Sequence, residues 1–234
     1  MAGGDLPHSF ALPAAELAGI IERTRFAIST EETRYYLNGI YFHAANRDGV
    51  DVLRAVATDG HRLAKVETPL PAGAEGMPGV IVPRKTIAEL HKLIEEATGD
   101  VAVALSETKV RFAFDDATLT SKLIDGTFPD YERVIPADND KLMEIDRKVL
   151  ADAVDRVSAI SSEKSRAIKL SLSSGSLVLS ASSPEHGSAT EELEVGFDAG
   201  DLEIGFNSRY LLDIVQQIDG DAAQFVFAEI GRAS

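Results

Sequence analysis

Cysteine is missing from all 234 residues. Disulfides, thiolate zinc sites, iron–sulfur ligation and a cysteine nucleophile are thereby excluded. The absence fits a reducing cytoplasm, which is the expected location. No run approaches 18 apolar residues, so no membrane-spanning helix is expected. The opening MAGGDLPHSF has neither a basic region nor an apolar one, so it does not read as a secretory signal. Catalytic signatures are missing too: there is no G-x-S-x-G, P-loop, G-x-G-x-x-G or H-E-x-x-H. The five histidines (His8, His43, His61, His91, His186) are scattered, with no i, i+4 pair to hold a metal. Asp115-Asp116 reads as a hairpin turn rather than a cation site. Neither an enzyme nor a cofactor is expected.

Basic residues are few. Lys and Arg number 23 against 38 Asp and Glu, a net charge of −15. An evenly acidic surface would repel phosphate backbones. The predicted helices, however, are each charge-balanced: Glu16 and Glu22 against Arg23 and Arg25 in 12–28, Arg209 against Asp213 in 207–218, and likewise in 84–96 and 146–159. The acid therefore lies on strands and loops. A neutral helical face set against an acidic sheet face suits loose holding of DNA on one side.

What the chain does contain is a repeat. FALPAAELAGIIERTRFAI (10–28) resembles MEIDRKVLADAVDRVSAI (143–160), with Phe10 over Met143, Leu12 over Ile145, Leu17 over Leu150 and Ile21 over Val154. Leu17, Ile20, Ile21, Thr24 and Leu150, Ala153, Val154, Val157 share the i, i+3, i+4, i+7 spacing of an amphipathic helix. Asp146 suits an N-cap and Pro13 a first turn. A second pair follows: GVIVPRKTIAELHKLIEEA (79–97) resembles DLEIGFNSRYLLDIVQQI (201–218), an apolar strand running into a helix.

Between these helices the apolar period is two. Segments 35–44, 51–59, 61–67, 100–106, 109–115, 118–124, 190–197 and 224–228 read as strands, and 168–182 as a hairpin turning at Ser174-Gly175. The fold class is α+β: two similar domains, 1–137 and 138–234, each with two helices packed on antiparallel β-sheets. The boundary falls near PADNDK, a turn-forming stretch. The first copy continues past its second helix through three strands. The second copy stops after one, so its last two strands are expected to be missing and the chain to be a fragment.

RYYLNGIYF (34–42), LRAVATDGHRLA (53–64), IVPRKTIAEL (81–90) and TSKLIDGTFPDYERVIP (120–136) resemble the middle domain of the bacterial sliding clamp family, the beta subunit of DNA polymerase III. SSEKSRAIKL (161–170) and LEIGFNSRYLLDIV (202–215) resemble its third domain. The resemblance implies a DNA-clamp fold, no catalytic residues, and a homodimer ring around duplex DNA that acts as a processivity factor. Its implied partners are the DNA polymerase III alpha subunit, the clamp loader and repair proteins, all docking through short linear motifs. For that docking the resemblance implies Leu37, Thr58, Gly60, His61, Arg62, Leu63, Pro129, Arg133, Val134, Asn207 and Tyr210. For sequence-independent DNA contact it implies Arg34, Tyr35, Tyr36, Arg84 and Lys85, with Arg23, Arg25, Lys148 and Arg156 as further channel cations. A rival expectation is that the shortened chain is a ring-incompetent peptide-binding module, a decoy for the same motifs.

Overall fold

A computed structural model describes residues 6–161 and 166–228. The chain divides into two compact units, Met1–Tyr131 and Glu132–Ser234. The first begins with β1 (His8–Pro13) and passes at Pro13 into α1 (Ala14–Arg25). Proline suits this junction because its fixed φ starts a helix and its missing N–H is not needed there. Leu17, Ile20, Ile21 and Thr24 are all buried, as their spacing demands. Thr24 pairs its hydroxyl with the Ile20 carbonyl at 2.7 Å, so a buried polar group is satisfied inside its own helix.

The strands that follow are β2 (Gly39–Arg47), β3 (Val50–Thr58), β4 (Leu63–Pro69) and β5 (Val80–Pro83). Next come α2 (Arg84–Ile94), β6 (Asp100–Leu105), β7 (Lys109–Phe114) and β8 (Ala117–Lys122). They form two antiparallel sheets, ordered β1-β6-β7-β8 and β4-β3-β2-β5. Residues of both sheets and both helices share one core, from Phe10 and Leu17 to Leu53, Ile87, Val103 and Phe112.

The second unit contains β9 (Lys141–Asp146), α3 (Arg147–Ser158), β10 (Ala167–Ser173), β11 (Ser176–Ser183) and β12 (Gly187–Glu194). These lead to β13 (Gly196–Phe197), β14 (Leu202–Asn207), α4 (Ser208–Gln216) and β15 (Ala222–Phe227). Sheet order β12-β11-β10-β14 copies β4-β3-β2-β5, and the β9–β15 pair copies β1–β6. Asp146 caps α3 by accepting from the Val149 amide at 2.8 Å, as its type and place predict. Pro83 and Asn207, aligned in the repeat, are both N-cap residues. The β10–β11 turn carries Gly175 at φ +75°. Among the described residues β15 pairs with β9 alone, whereas β6 has a strand on each side.

Three expectations need correction. Residues 35–44 are not one strand: Tyr35–Leu37 form a 3-10 turn and β2 starts only at Gly39. The carbonyls of Arg34 and Tyr35 accept from the Leu37 and Asn38 amides, which closes that turn before the ladder begins. Segment 190–197 is two strands, since after Glu194 the chain leaves β11 and Phe197 pairs with Met143 of β9. All four helices are shorter than predicted by a few residues, as helix ends often are. Residues 162–165 of the SSEKSRAIKL stretch lie outside the described residues.

Candidate functional site

Thr58 closes β3 and Leu63 opens β4, and the four residues between them make a tight turn. Gly60 holds φ at +88°, a region that costs any residue bearing a Cβ. Asp59 Oδ1 accepts from the His61 amide at 2.9 Å and the Arg62 amide at 3.0 Å. Thr58 Oγ1 accepts from the Gly60 amide at 3.1 Å and donates to the Arg62 carbonyl at 2.7 Å. The turn thus satisfies its own backbone. Gly60 and His61 are exposed and Leu63 is half-buried.

Arg62 does structural work in this turn. Its Nε donates to Asp59 Oδ2 at 3.2 Å and its Nη2 to the Phe26 carbonyl at 2.8 Å. The guanidinium carbon lies 5.2 Å from the Phe26 ring centre. A cation thereby satisfies a carbonyl at the C-terminal end of α1, where the helix dipole favours it. Leu37 is only 4% exposed.

Pro129 is exposed, but its neighbours anchor it. The Phe128 ring stacks on Tyr41 at 4.8 Å and 9°, and Tyr41 stacks on His43 at 4.7 Å. The Tyr131 hydroxyl accepts from Arg54 Nη1 at 2.8 Å and lies 2.8 Å from His43 Nε2. His43 Nδ1 donates to the Ala44 carbonyl at 2.9 Å, since a carbonyl can only accept. In the neutral ring Nε2 is therefore the acceptor, and the Tyr131 hydroxyl donates to it. Arg54 is 5% exposed and its Nε donates to Glu67 at 2.7 Å. Burial alone would raise the Glu67 pKa; hydrogen bonds from Arg47 and Arg54 outweigh it and hold the carboxyl below its ordinary value. Burial raises the Tyr41 pKa.

Sequence reasoning missed this network. The available signal was an arginine inside the apolar run VLRAVAT, since a charge in a buried strand requires a partner.

In the second unit Arg133 and Val134 are exposed, Val134 at 70%. Asn207 caps α4, its side chain accepting from the Arg209 amide at 3.0 Å, and Tyr210 is half-buried one turn on.

Of the residues expected to touch DNA, Tyr35 is 53% exposed and Tyr36 half-buried, their rings edge to face at 5.8 Å. Arg84 and Lys85 are exposed in the first turn of α2, which holds no acidic residue. Arg34 is instead held by Glu31 through two bonds of 2.8 and 2.6 Å. Arg25 pairs with Glu22 at 2.7 Å and Arg156 with Glu191 at 2.5 Å, so both further cations are neutralised locally. Arg23 is half-buried and Lys148 exposed. Among the described residues no three His, Asp or Glu side chains gather as a metal site, and no helix is long and apolar enough to cross a membrane.

Two copies of one unit, each with two helices on antiparallel sheets, define the sliding-clamp fold. A sliding clamp of Bartonella birtlesii bound to griselimycin matches with a TM-score of 0.94 and 52% identity, covering 97% of this chain and 61% of its own. A beta sliding clamp of Caulobacter crescentus matches with 0.95 and 56%, over the same shares. Residues 11–130 match the family model of the DNA polymerase III beta subunit central domain, and 132–232 that of its C-terminal domain. The chain belongs to the DNA polymerase III beta subunit family. It is 56% identical to the beta sliding clamp of Caulobacter vibrioides over 98% of its own length, and 42% identical to that of Pseudomonas aeruginosa. It spans about six-tenths of the length of these relatives, 62% and 59%.

Proposed function

We propose that this chain works in a sliding clamp, as a non-catalytic processivity factor that tethers a replicative polymerase to duplex DNA in the cytoplasm. The turn Thr58–Leu63 is its docking element for short, partly apolar linear motifs of the polymerase alpha subunit, the clamp loader and repair proteins. The observation that carries this reading is the self-satisfied turn. It leaves Gly60 and His61 exposed beside the half-buried Leu63, an apolar anchor point next to polar groups that can hold a peptide backbone. Pro129 is proposed as a further contact on the family resemblance. Arg133, Val134, Asn207 and Tyr210 are proposed as further contacts on the family resemblance alone. The exposed Tyr35, Arg84 and Lys85 and the half-buried Tyr36 are the proposed DNA contacts. Closure into a homodimer ring is part of the same proposal.

The test is fluorescence anisotropy of a labelled peptide carrying such a motif, titrated with the chain and with Leu63→Ala. Saturable binding near the micromolar range, about −8 kcal/mol, weakened at least tenfold in the variant, supports docking at the turn. No binding by a chain that melts cooperatively rejects it. Peptide binding without retention on circular DNA would favour the decoy reading.

A further inference from the structure

Arg34 forms a local ion pair. Its Nε and Nη2 donate to the two oxygens of Glu31 at 2.8 and 2.6 Å, the planar fork-to-carboxylate geometry that only arginine makes. Its remaining nitrogen, Nη1, faces Gly60 so closely that a Cβ on Gly60 would collide with it. Glu31 is itself fixed, because its amide donates to the Ser29 hydroxyl at 3.2 Å and Ser29 is 1% exposed. Ser29 in turn donates its amide to the Leu37 carbonyl at 3.1 Å. An unbroken set of contacts therefore runs from the core through Ser29, Glu31 and Arg34 to the glycine at the tip of the docking turn.

We infer that Glu31 and Arg34 are positioning residues for that turn: the ion pair is a strut that presses the guanidinium against Gly60 and sets where His61 and Leu63 stand. The inference rests on the peptide-docking reading for its purpose, though not for its geometry. Charges from the turn reach the pair as well. Arg34 chiefly, through its hydrogen bond, holds the Glu31 carboxyl below its ordinary pKa, with His61 lowering it slightly and Asp59 opposing. Glycine at position 60 is favoured by its positive φ, and a Cβ there would make the Arg34 guanidinium shift.

The experiment uses the full chain with Glu31→Ala, Arg34→Ala and Arg34→Lys, each first shown to melt cooperatively. Hydrogen exchange of the Gly60, His61 and Arg62 amides is read together with peptide anisotropy. The strut predicts faster exchange at these three amides in all three variants, since lysine keeps the charge but not the fork. It also predicts peptide affinity lower by up to about fivefold, the range one exposed pair supplies. Unchanged exchange at the turn in Glu31→Ala and Arg34→Ala overturns the inference, whatever the peptide does. So does a gain of duplex-DNA retention by Glu31→Ala with an unaltered turn, which would return Arg34 to the phosphates. Faster exchange in a chain that binds no peptide even as wild type keeps the strut and rejects the docking reading instead.

Discussion

Truncating Arg54 is the most severe test of how the first unit is held together. Arg54→Ala removes a cation that is 5% exposed and donates to Glu67 at 2.7 Å and to the Tyr131 hydroxyl at 2.8 Å. Breaking a buried pair from one side costs about 3–5 kcal/mol, because the other charge stays buried and uncompensated. Here Glu67 keeps Arg47 at 3.1 Å and Lys65 at 3.6 Å and is not left wholly uncompensated, so the lower end, about 3 kcal/mol, is expected. For a unit of this size that is a fall in Tm of roughly 10 °C. The chain has no tryptophan and five tyrosines, of which Tyr35, Tyr36, Tyr41 and Tyr131 lie in the first unit. Tyrosine fluorescence therefore reports that unit's melting. The acid limb adds a second reading. The Glu67 pKa is depressed on folding, so its stabilisation is full above the ordinary value of 4.5 and is lost as pH falls through the folded value. Arg54→Ala removes part of that depression and flattens the loss of stability below pH 4.5. A fall in stability under about 1 kcal/mol, the worth of an ordinary surface pair, would refute the buried-network account.

Other substitutions probe other links. Gly60→Ala must hold a left-handed φ and displace Arg34; it should cost about 1–2 kcal/mol in urea titrations and weaken peptide binding, and an unchanged affinity would show that the turn is not the docking element. Asp146→Ala removes the only side-chain bond to the first-turn amides of α3 among the described residues; unfolding of the second unit should move by about 1 kcal/mol, followed by hydrogen exchange in α3. Leu150→Ala, at 1% exposure in the second core, should cost about 2–5 kcal/mol by calorimetry, and a much smaller loss would mean that this core collapses around the void.

Much of this molecule was legible before any coordinates. The apolar spacing of Leu17, Ile20, Ile21 and Thr24, repeated by Leu150, Ala153, Val154 and Val157, specified two of the helices and their buried faces, because burial of one stripe is a local property of period and residue type. The repeat specified that the two halves share a topology, and Asp146 announced its own helix start. The family followed from contiguous motifs such as TDGHRL and FPDYERV, which are local strings. What only the tertiary structure decided were the partners of charged and aromatic side chains. Sequence could not show that Arg62 bonds to Asp59 and the Phe26 carbonyl, or that Arg34 bonds to Glu31 and lies against Gly60. Tyr35 and Tyr36 fit strand alternation, yet hydrogen bonds over three residues wound them into a turn. Tyr131 reaches His43 and Arg54 across 88 and 77 residues of chain. The periodicity of a strand states which face a residue takes, but a hydrogen bond depends on distance and angle between groups that only the folded chain brings together.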